Sequence, residues 1–303
     1  MLTGGTGFIG SHLTEELLKR GYDVSLLLRH SPRKFDVPLG ATSYTGDLLD
    51  IYSLKKIIKH LQPEAILHLA GMTPVRHSFA NPVIYAETNL LGTMNLSLAS
   101  KECSSLEKFI VASTAEVYKS KDSPIKETDE LYGTTPYGVS KVAVDYWIRV
   151  AGDCYGLPYI LLRPSNTYFR KTERGYFIEK VITTMLTSNK LVLNGTPDSE
   201  RDWMFVDDHV QGYIKALESD SVNDVYNIST GVGTSVGDVV EMVKEMIGWK
   251  GTITWGGKPR PNEPKYLILD NSKARRELNF IPKYPLERGL QIVINHWKRV
   301  LDV

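Results

Sequence analysis

The chain is 303 residues long, with 36 Lys and Arg against 35 Asp and Glu and a net charge of +1. That balance argues against a dedicated nucleic-acid or membrane-surface protein, both of which carry a basic excess. No secretory leader and no apolar run of spanning length is legible. The two cysteines, Cys103 and Cys154, stand far apart with no metal-ligand spacing, so neither a metal site nor a disulfide scaffold is expected. A soluble cytoplasmic protein with buried, inert thiols is the expectation, in one large or two modest domains.

The opening, Leu2-Thr3-Gly4-Gly5-Thr6-Gly7-Phe8-Ile9-Gly10-Ser11-His12, sets Gly4, Gly7 and Gly10 at intervals of three. An apolar start precedes it, and Leu13, Leu17 and Leu18 follow at helical spacing, closed by Gly21. This predicts strand, tight turn, helix and a second strand over 24–28. A helix N-terminus offers unpaired N–H groups and the positive end of its dipole, and glycines there let a pyrophosphate approach the backbone. The stretch reads as a dinucleotide holder. A buried parallel strand usually runs about 5 residues, yet only Met1 and Leu2 precede Thr3, so the first strand is either clipped or begins upstream.

After the second strand, Arg29 stands where an NAD-selective fold tends to place an acid for the ribose 2′-OH. With Arg33 and Lys34 close by, it favours a 2′-phosphate, hence NADP, with NAD left open. A third strand over 41–44 leads to Gly46-Asp47-Leu48-Leu49-Asp50 and a helix over 52–61, stopped by Pro63. The apolar run Ala65-Ile66-Leu67-His68-Leu69-Ala70-Gly71 reads as a buried parallel strand, and its small end leaves room for a ligand; His68 is expected to be a packed core histidine. A helical pattern over 85–100 carries Asn89, Gly92 and Asn95. Next comes a strand over 108–114 ending in the hydroxyls of Ser113 and Thr114. Tyr137-Gly138-Val139-Ser140-Lys141 opens a helix that runs to about 155. A strand over 159–162 leads into Arg163-Pro164-Ser165-Asn166.

This regular alternation predicts an α/β protein with a doubly wound parallel sheet. Beyond Asn166 the rhythm changes: helices over 179–186, 207–217, 236–247 and 286–300, extended segments over 190–194, 201–206 and 225–228, and a Gly/Pro-rich loop over 256–264. We expect a dinucleotide-binding domain over 1–165, to which 203–228 returns, and a smaller α/β substrate-binding lobe over 166–202 and 229–303.

Tyr137 and Lys141 are four apart at a helix start and share a face. A phenol with a pKa near 10 is a poor base at neutral pH. A neighbouring lysine cation and a positively charged nicotinamide would lower that pKa. With the Thr114 hydroxyl to hold a substrate oxygen, the set suits removal of an alcohol proton as hydride leaves the carbon. No Gly-x-Ser-x-Gly elbow of a hydrolase is present.

These motifs, in order, resemble the extended short-chain dehydrogenase/reductase family, in its nucleotide-sugar epimerase and dehydratase group. The matching stretches are 3–10, Gly46-Asp47-Leu48, His68-Leu69-Ala70, Ser113-Thr114-Ala115-Glu116-Val117-Tyr118, 137–141, 162–166, Arg201-Asp202-Trp203 and Arg260-Pro261-Asn262-Glu263. The resemblance implies a Rossmann sheet and an NAD(P) cofactor held by Gly4, Gly7, Phe8, Ile9, Gly10 and Arg29. It adds Asp47 and Leu48 at the adenine, and Leu69, Ala70 and Gly71 on the nicotinamide ribose side. Tyr137 would be the base, Lys141 its electrostatic helper and ribose anchor, and Thr114 its hydroxyl partner. Asn166 would hold a nucleotide-diphosphate sugar, with Arg201 and Arg260 gripping its pyrophosphate.

Glu116 resembles the carboxylate that removes the C5 proton in 4,6-dehydratases, and the chain looks most like the GDP-mannose 4,6-dehydratases. Ala115 departs from the Asp or Ser usual in dehydratases. A 4-epimerase of the UDP-glucose type, in which Glu116 is structural, and then a 4-keto reductase, are the alternatives. From another class, a dinucleotide-sensing regulator remains. The resemblance also implies a homodimer through helices near 85–100 and 140–155; Val144, Trp147 and Ile148 are consistent with such contacts and equally with core positions.

Overall fold

The computed structural model describes residues 1–29, 37–257 and 261–303. The strands β1 (Leu2–Thr3), β2 (Ser25–Leu28), β3 (Thr42–Thr45), β4 (Ala65–His68), β5 (Lys108–Ala112) and β6 (Tyr159–Pro164) open the chain's main sheet. Further on lie β7 (Asn166–Tyr168), β8 (Lys190–Asn194), β9 (Glu200–Phe205), β10 (Asp224–Ile228), β11 (Gly233–Ser235), β12 (Thr252–Gly257) and β13 (Tyr266–Leu267). Among the described residues the main sheet has seven parallel strands in the order β10-β6-β5-β4-β1-β2-β3.

The helices are α1 (Phe8–Lys19), α2 (Ile51–Leu61), the short α3 (Val75–Ser78) and α4 (Pro82–Tyr85), α5 (Gly92–Ala99), α6 (Pro136–Tyr155), α7 (Phe177–Thr187), α8 (Val206–Glu218), α9 (Val236–Ile247), α10 (Ser272–Leu278) and α11 (Leu286–Leu301). The main sheet is buried on both faces because successive residues point to opposite sides. Leu26 and Ile110 join Leu13, Leu17 and Ile214 beneath α1 and α8, whereas Leu27, Phe109 and Val111 join Leu54, Leu96, Val144 and Ile148 beneath α2, α5 and α6. The chain runs outward from β1 through β2 to β3, then crosses to β4 and on through β5 and β6. The order therefore reverses between β1 and β4, and a crevice opens beyond their carboxyl ends, the usual ligand position in such sheets.

Past β6 the chain builds a second layer. β9 pairs with β7, β11 and β13 in a small mixed sheet, and β8 pairs with β12 in a two-stranded one. Ile178, Ile182, Val243, Val293 and Trp297 form the core between α7, α9 and α11. The chain returns to the main sheet with α8 and β10, while β9 stays in the small sheet.

Several expectations are corrected. Val144 and Ile148 are fully buried under the main sheet, and Trp147 is partly buried and donates to Ser97 Oγ at 2.9 Å. They lie on the same helical face as Tyr137 and Lys141, so they are core residues. The exposed large apolar side chains of α6 are Val139, Tyr146, Val150 and Tyr155. Cys103 is buried, but Cys154 is exposed. The helix expected over 85–100 is broken into α4, a π-helix over Ala86–Leu91, α5 and a 3-10 turn. The first strand is only two residues long in the described structure.

Candidate active site

The glycine turn divides its labour. Gly4 has φ 71°, a conformation that favours glycine. A Cβ on it would sit 2.7 Å from the Ala70 backbone nitrogen, so the turn nestles against the end of β4. A Cβ on Gly10 would meet the Gly4 carbonyl oxygen at 2.0 Å, so Gly10 lets α1 lie directly on the turn. Gly7 is different: its φ is −78° and its Cβ would meet only the Gly4 oxygen, at 3.2 Å. It is the N-cap of α1, and no side chain caps the helix or puts an acid in its first turn. This cradle is a close glycine turn against a helix start that no side chain caps, and it fits a dinucleotide diphosphate.

Around the cradle the loops are tied down. Gly46 N–H donates to Leu28 O at 2.9 Å, and Leu49 N–H to Asp47 Oδ1 at 2.9 Å. Asn95 Nδ2 donates to Leu48 O at 2.9 Å, and Gly92 lets α5 approach Leu48 closely. Asp47 and Leu48 are thus held at the end of β3, with exposed Arg29 at the end of β2. Arg33 and Lys34 lie outside the described residues.

Asn89 clamps the loop that carries Ala70 and Gly71. It accepts from Met72 N–H at 2.7 Å, and its amide donates to Met72 O at 3.1 Å and to Ser140 Oγ at 2.9 Å. Ser140 in turn donates to Tyr137 O at 2.7 Å. Asn89 is buried in the π-helix, a local defect common at functional sites.

His68 links the same parts from below. Thr93 Oγ1 donates to Asn89 O at 2.5 Å, so it accepts from His68 Nε2 at 2.9 Å. His68 Nδ1 then accepts from Thr3 Oγ1 at 2.7 Å, and Thr3 Oγ1 accepts the Ala70 N–H at 3.2 Å. The Thr93 hydroxyl places a proton on Nε2, and burial favours the neutral ring, in which Nδ1 is an acceptor. Burial, with a push from Lys141, lowers its pKa to about 3. His68 is core, as expected, but as a polar tie.

Thr114, Glu116, Tyr137 and Lys141 come together beyond the carboxyl end of β5. Thr135 caps α6 by accepting Gly138 N–H at 3.0 Å, with Pro136 at the first helical position, and this starts the helix one residue before Tyr137. The Thr114 hydroxyl bonds the Tyr137 phenol, an interaction that favours the phenolate, and Thr114 Oγ1 also accepts Glu116 N–H at 3.2 Å. Lys141 Nζ donates to Ala112 O at 2.5 Å. Burial pushes the lysine down to about 8, opposed by Asp145 one turn along the helix.

The expected lowering of Tyr137 by Lys141 is not found in the chain alone. Burial raises the phenol's pKa well above its ordinary value, and the negative charge of Glu116 adds to the rise. Desolvation outweighs the Thr114 hydrogen bond.

Asn166 opens β7, paired with Trp203 of β9. Arg201 is buried on β9, donates to Glu200 O at 2.8 Å and approaches Glu263 at 3.6 Å. Arg260 lies outside the described residues. Asn89 and Ser140 were given no role from sequence; an Asn within a helical run seven residues before an apolar helix end carries no signal until the π-turn is seen.

The model of the family described as GDP-mannose 4,6 dehydratase matches residues 1–293. The chain is 31% identical over 305 residues to a putative UDP-glucose 4-epimerase of Methanocaldococcus jannaschii, covering 98% of each. Its fold superposes on the UDP-glucose 4-epimerase of Thermotoga maritima, solved with UDP-glucose, with a TM-score of 0.92 at 29% identity, covering 99% of this chain and 98% of the other. It superposes on a dTDP-glucose 4,6-dehydratase of Streptomyces venezuelae, solved with NAD, with a TM-score of 0.90 at 26% identity, covering 99% and 96%. Epimerases and dehydratases thus stand side by side among the relatives.

Proposed function

We propose that this chain, which belongs to the GDP-mannose 4,6-dehydratase family of nucleotide-sugar enzymes, is a 4,6-dehydratase of a nucleotide-diphosphate hexose. The observation that carries this reading is the Glu116 carboxylate, close enough to raise the pKa of Tyr137. A reaction confined to C4 needs only Tyr137, Thr114 and Lys141. A carboxylate two residues past Thr114 and near the Tyr137 phenol would supply a second base, which loss of the C5 proton requires.

The residues would act as follows. Thr114 and Tyr137 hold the C4 hydroxyl, and Tyr137 takes its proton as C4 becomes a ketone. The bound nicotinamide dinucleotide supplies the acceptor for the C4 hydride and its return to C6, and its positive ring favours the phenolate that burial opposes. The ketone acidifies C5–H; Glu116 would remove that proton and pass it to the departing C6 hydroxyl, which leaves as water, and a solvent proton would then complete C5. Lys141, one turn along α6 from Tyr137, would hold the nicotinamide ribose and support the phenolate. Gly4, Gly7, Phe8, Ile9 and Gly10 would cradle the cofactor diphosphate, Asp47 and Leu48 its adenine, and Leu69, Ala70 and Gly71 its nicotinamide end. Arg29 and the lack of an acid at the β2 end support NADP as the preferred form. On the sugar-nucleotide side, Asn166, Arg201 and Arg260 remain the proposed contacts.

A second reading, a 4-epimerase, is favoured by Ala115. Its side chain is buried with Val117, Ile125 and Leu267, so no acid stands there to protonate a leaving C6 hydroxyl. Product NMR separates the two after incubation with UDP-glucose, UDP-galactose or GDP-mannose and either dinucleotide. A 4-keto-6-deoxy sugar supports the dehydratase; a C4 epimer with its 6-hydroxyl intact overturns it.

Assembly as a homodimer is supported by exposed apolar side chains on α6 (Val139, Tyr146, Val150) and nearby Val83, Ile84 and Leu91. Among the described residues, no helix is long and apolar enough to cross a membrane, and no group of three metal-ligating side chains forms.

A further inference from the structure

Beside the glycine cradle stands a cation that the reaction above leaves without a role. Arg170 follows β7, and its guanidinium lies between two rings, with Cζ 4.1 Å from the Phe8 centroid and 3.4 Å from that of Tyr176. Phe8 follows Gly7 as the first residue of α1, so one side of the sandwich belongs to the cradle. Tyr176 is the N-cap of α7 and lies near enough to the phenols of Tyr137 and Tyr85 to contribute to the rise in their pKa values. The other side therefore lies toward the reacting phenol.

The backbone is shaped to put Arg170 there. Phe169 has φ 87°, a left-handed conformation that a bulky residue rarely adopts. Its ring stacks on Phe205, with centroids 5.3 Å apart and planes at 14°. Glu179, buried on α7, holds the turn: one carboxylate oxygen accepts both the Phe169 N–H at 2.8 Å and the Arg170 N–H at 2.7 Å. Such strain persists only where its surroundings over-determine it, and it gathers at ligand sites.

Arg170 is under-used by the protein. Its Nε is buried and has no hydrogen-bond partner among the described residues. Its ion pair with Glu173 is loose, at 3.6 Å, and half exposed on the glutamate side. A guanidinium carries five donors in a planar fork that matches two oxygens of a phosphate, and a desolvated cation without such partners is costly.

We propose that Arg170, positioned by Phe169 and Glu179, binds a phosphate oxygen of a diphosphate ligand where the cofactor cradle meets the reacting groups. The inference rests on the reading of the chain as a dinucleotide-dependent nucleotide-sugar enzyme. The diphosphate belongs either to the dinucleotide or to the sugar nucleotide; the chemistry recognised is the same, and binding measurements separate them.

The test is calorimetric titration of the full chain and its Arg170→Met, Arg170→Lys and Glu179→Gln variants. Each is titrated with NAD and NADP, then with UDP and GDP at saturating dinucleotide, and folding is checked by circular dichroism. Arg170→Met should weaken one of the two ligand classes roughly tenfold to a hundredfold, the span of a hydrogen bond to a charged group. Arg170→Lys keeps the charge without the fork and should lose part of that, and Glu179→Gln a smaller part in the same ligand class. Loss for NAD and NADP assigns Arg170 to the cofactor; loss for UDP or GDP assigns it to the sugar nucleotide. A folded Arg170→Met that binds both classes like the wild type overturns the inference. If that variant does not fold, Arg170→Lys decides by the same criterion. A wild type that binds neither dinucleotide removes the functional reading and this inference with it, whereas an unaffected variant of a binding wild type removes this inference alone.

Discussion

Gly7 and Gly10 look alike in sequence, but alanine should damage them in different ways. At Gly10 the added Cβ would stand 2.0 Å from the Gly4 oxygen, 2.7 Å from the Gly4 carbonyl carbon and 2.9 Å from Gly5 Cα. All three are backbone atoms, which cannot swing aside. Restoring even a 3.0 Å contact requires α1 to withdraw by about 1 Å, loosening Leu13 and Leu17 from Leu2 and Leu26. Overpacking of this kind costs about 1–3 kcal/mol, and replacing a helical glycine returns about 0.5–1 kcal/mol. A net loss of about 1–2 kcal/mol should lower the melting temperature by about 2–6 °C in a chain of this size. At Gly7 the Cβ meets one oxygen at 3.2 Å with φ already negative. The fold should tolerate Gly7→Ala to within about 1–2 °C. The methyl nevertheless occupies the approach to the cradle, so dinucleotide affinity should fall by about tenfold or more. Thermal melts followed by circular dichroism, with calorimetric titration of NAD and NADP, read both quantities. A Gly7→Ala variant that binds like the wild type, or melts as low as Gly10→Ala, would refute this division.

The lysine at the site should be a stability liability. Lys141 is lowered from 10.5 to about 8, so between those values the unfolded chain holds more protons and stability rises with pH. Lys141→Met should therefore stabilise the protein at pH 7 by up to about 3 kcal/mol, with the gain shrinking from about pH 8 upward in urea titrations. His68, lowered to about 3 from 6.5, has the same sign: the native state should lose stability as pH falls below about 6.5, and His68→Asn should flatten that slope. Tyr137→Phe should cut turnover by about a hundredfold to ten-thousandfold while still binding dinucleotide; undiminished turnover in this variant would remove Tyr137 as the base, and a wild type and variant that both bind dinucleotide without turning over any sugar nucleotide would point to a regulator. Tyr146→Asp or Val150→Asp, both at exposed positions on α6, should convert a dimer into a monomer in sedimentation experiments, and a wild type that sediments as a monomer contradicts the proposed assembly.

Much of this was legible in the sequence because it is local. The glycine turn, the apolar runs of β4 and β5 and the Tyr137–Lys141 spacing each announce an element from its own residues, and helix α9 was expected over the residues it occupies. What escaped depends on partners distant in the chain. Asn89 acquires its role through Met72 and Ser140, and Arg170 through Phe8 and Tyr176. The two-residue β13 exists only because β9 lies beside it. The apolar positions of α6 were visible, but which face they occupy was not, so the sequence left Val144 and Ile148 open between interface and core, and their burial makes them core. Electrostatics were the least legible: helical spacing announces a lysine near Tyr137, whereas only the burial of both shows that desolvation dominates each pKa.

The fate of a label at C4 tests the central claim most directly. A nucleotide hexose carrying deuterium at C4 is converted by the wild-type chain, and the product is examined by NMR. The dehydratase reading predicts deuterium at C6 of a 4-keto-6-deoxy sugar, with a solvent proton at C5, and loss of that conversion in Glu116→Gln. Deuterium retained at C4 of an epimerised sugar, unaffected by Glu116→Gln, would contradict it.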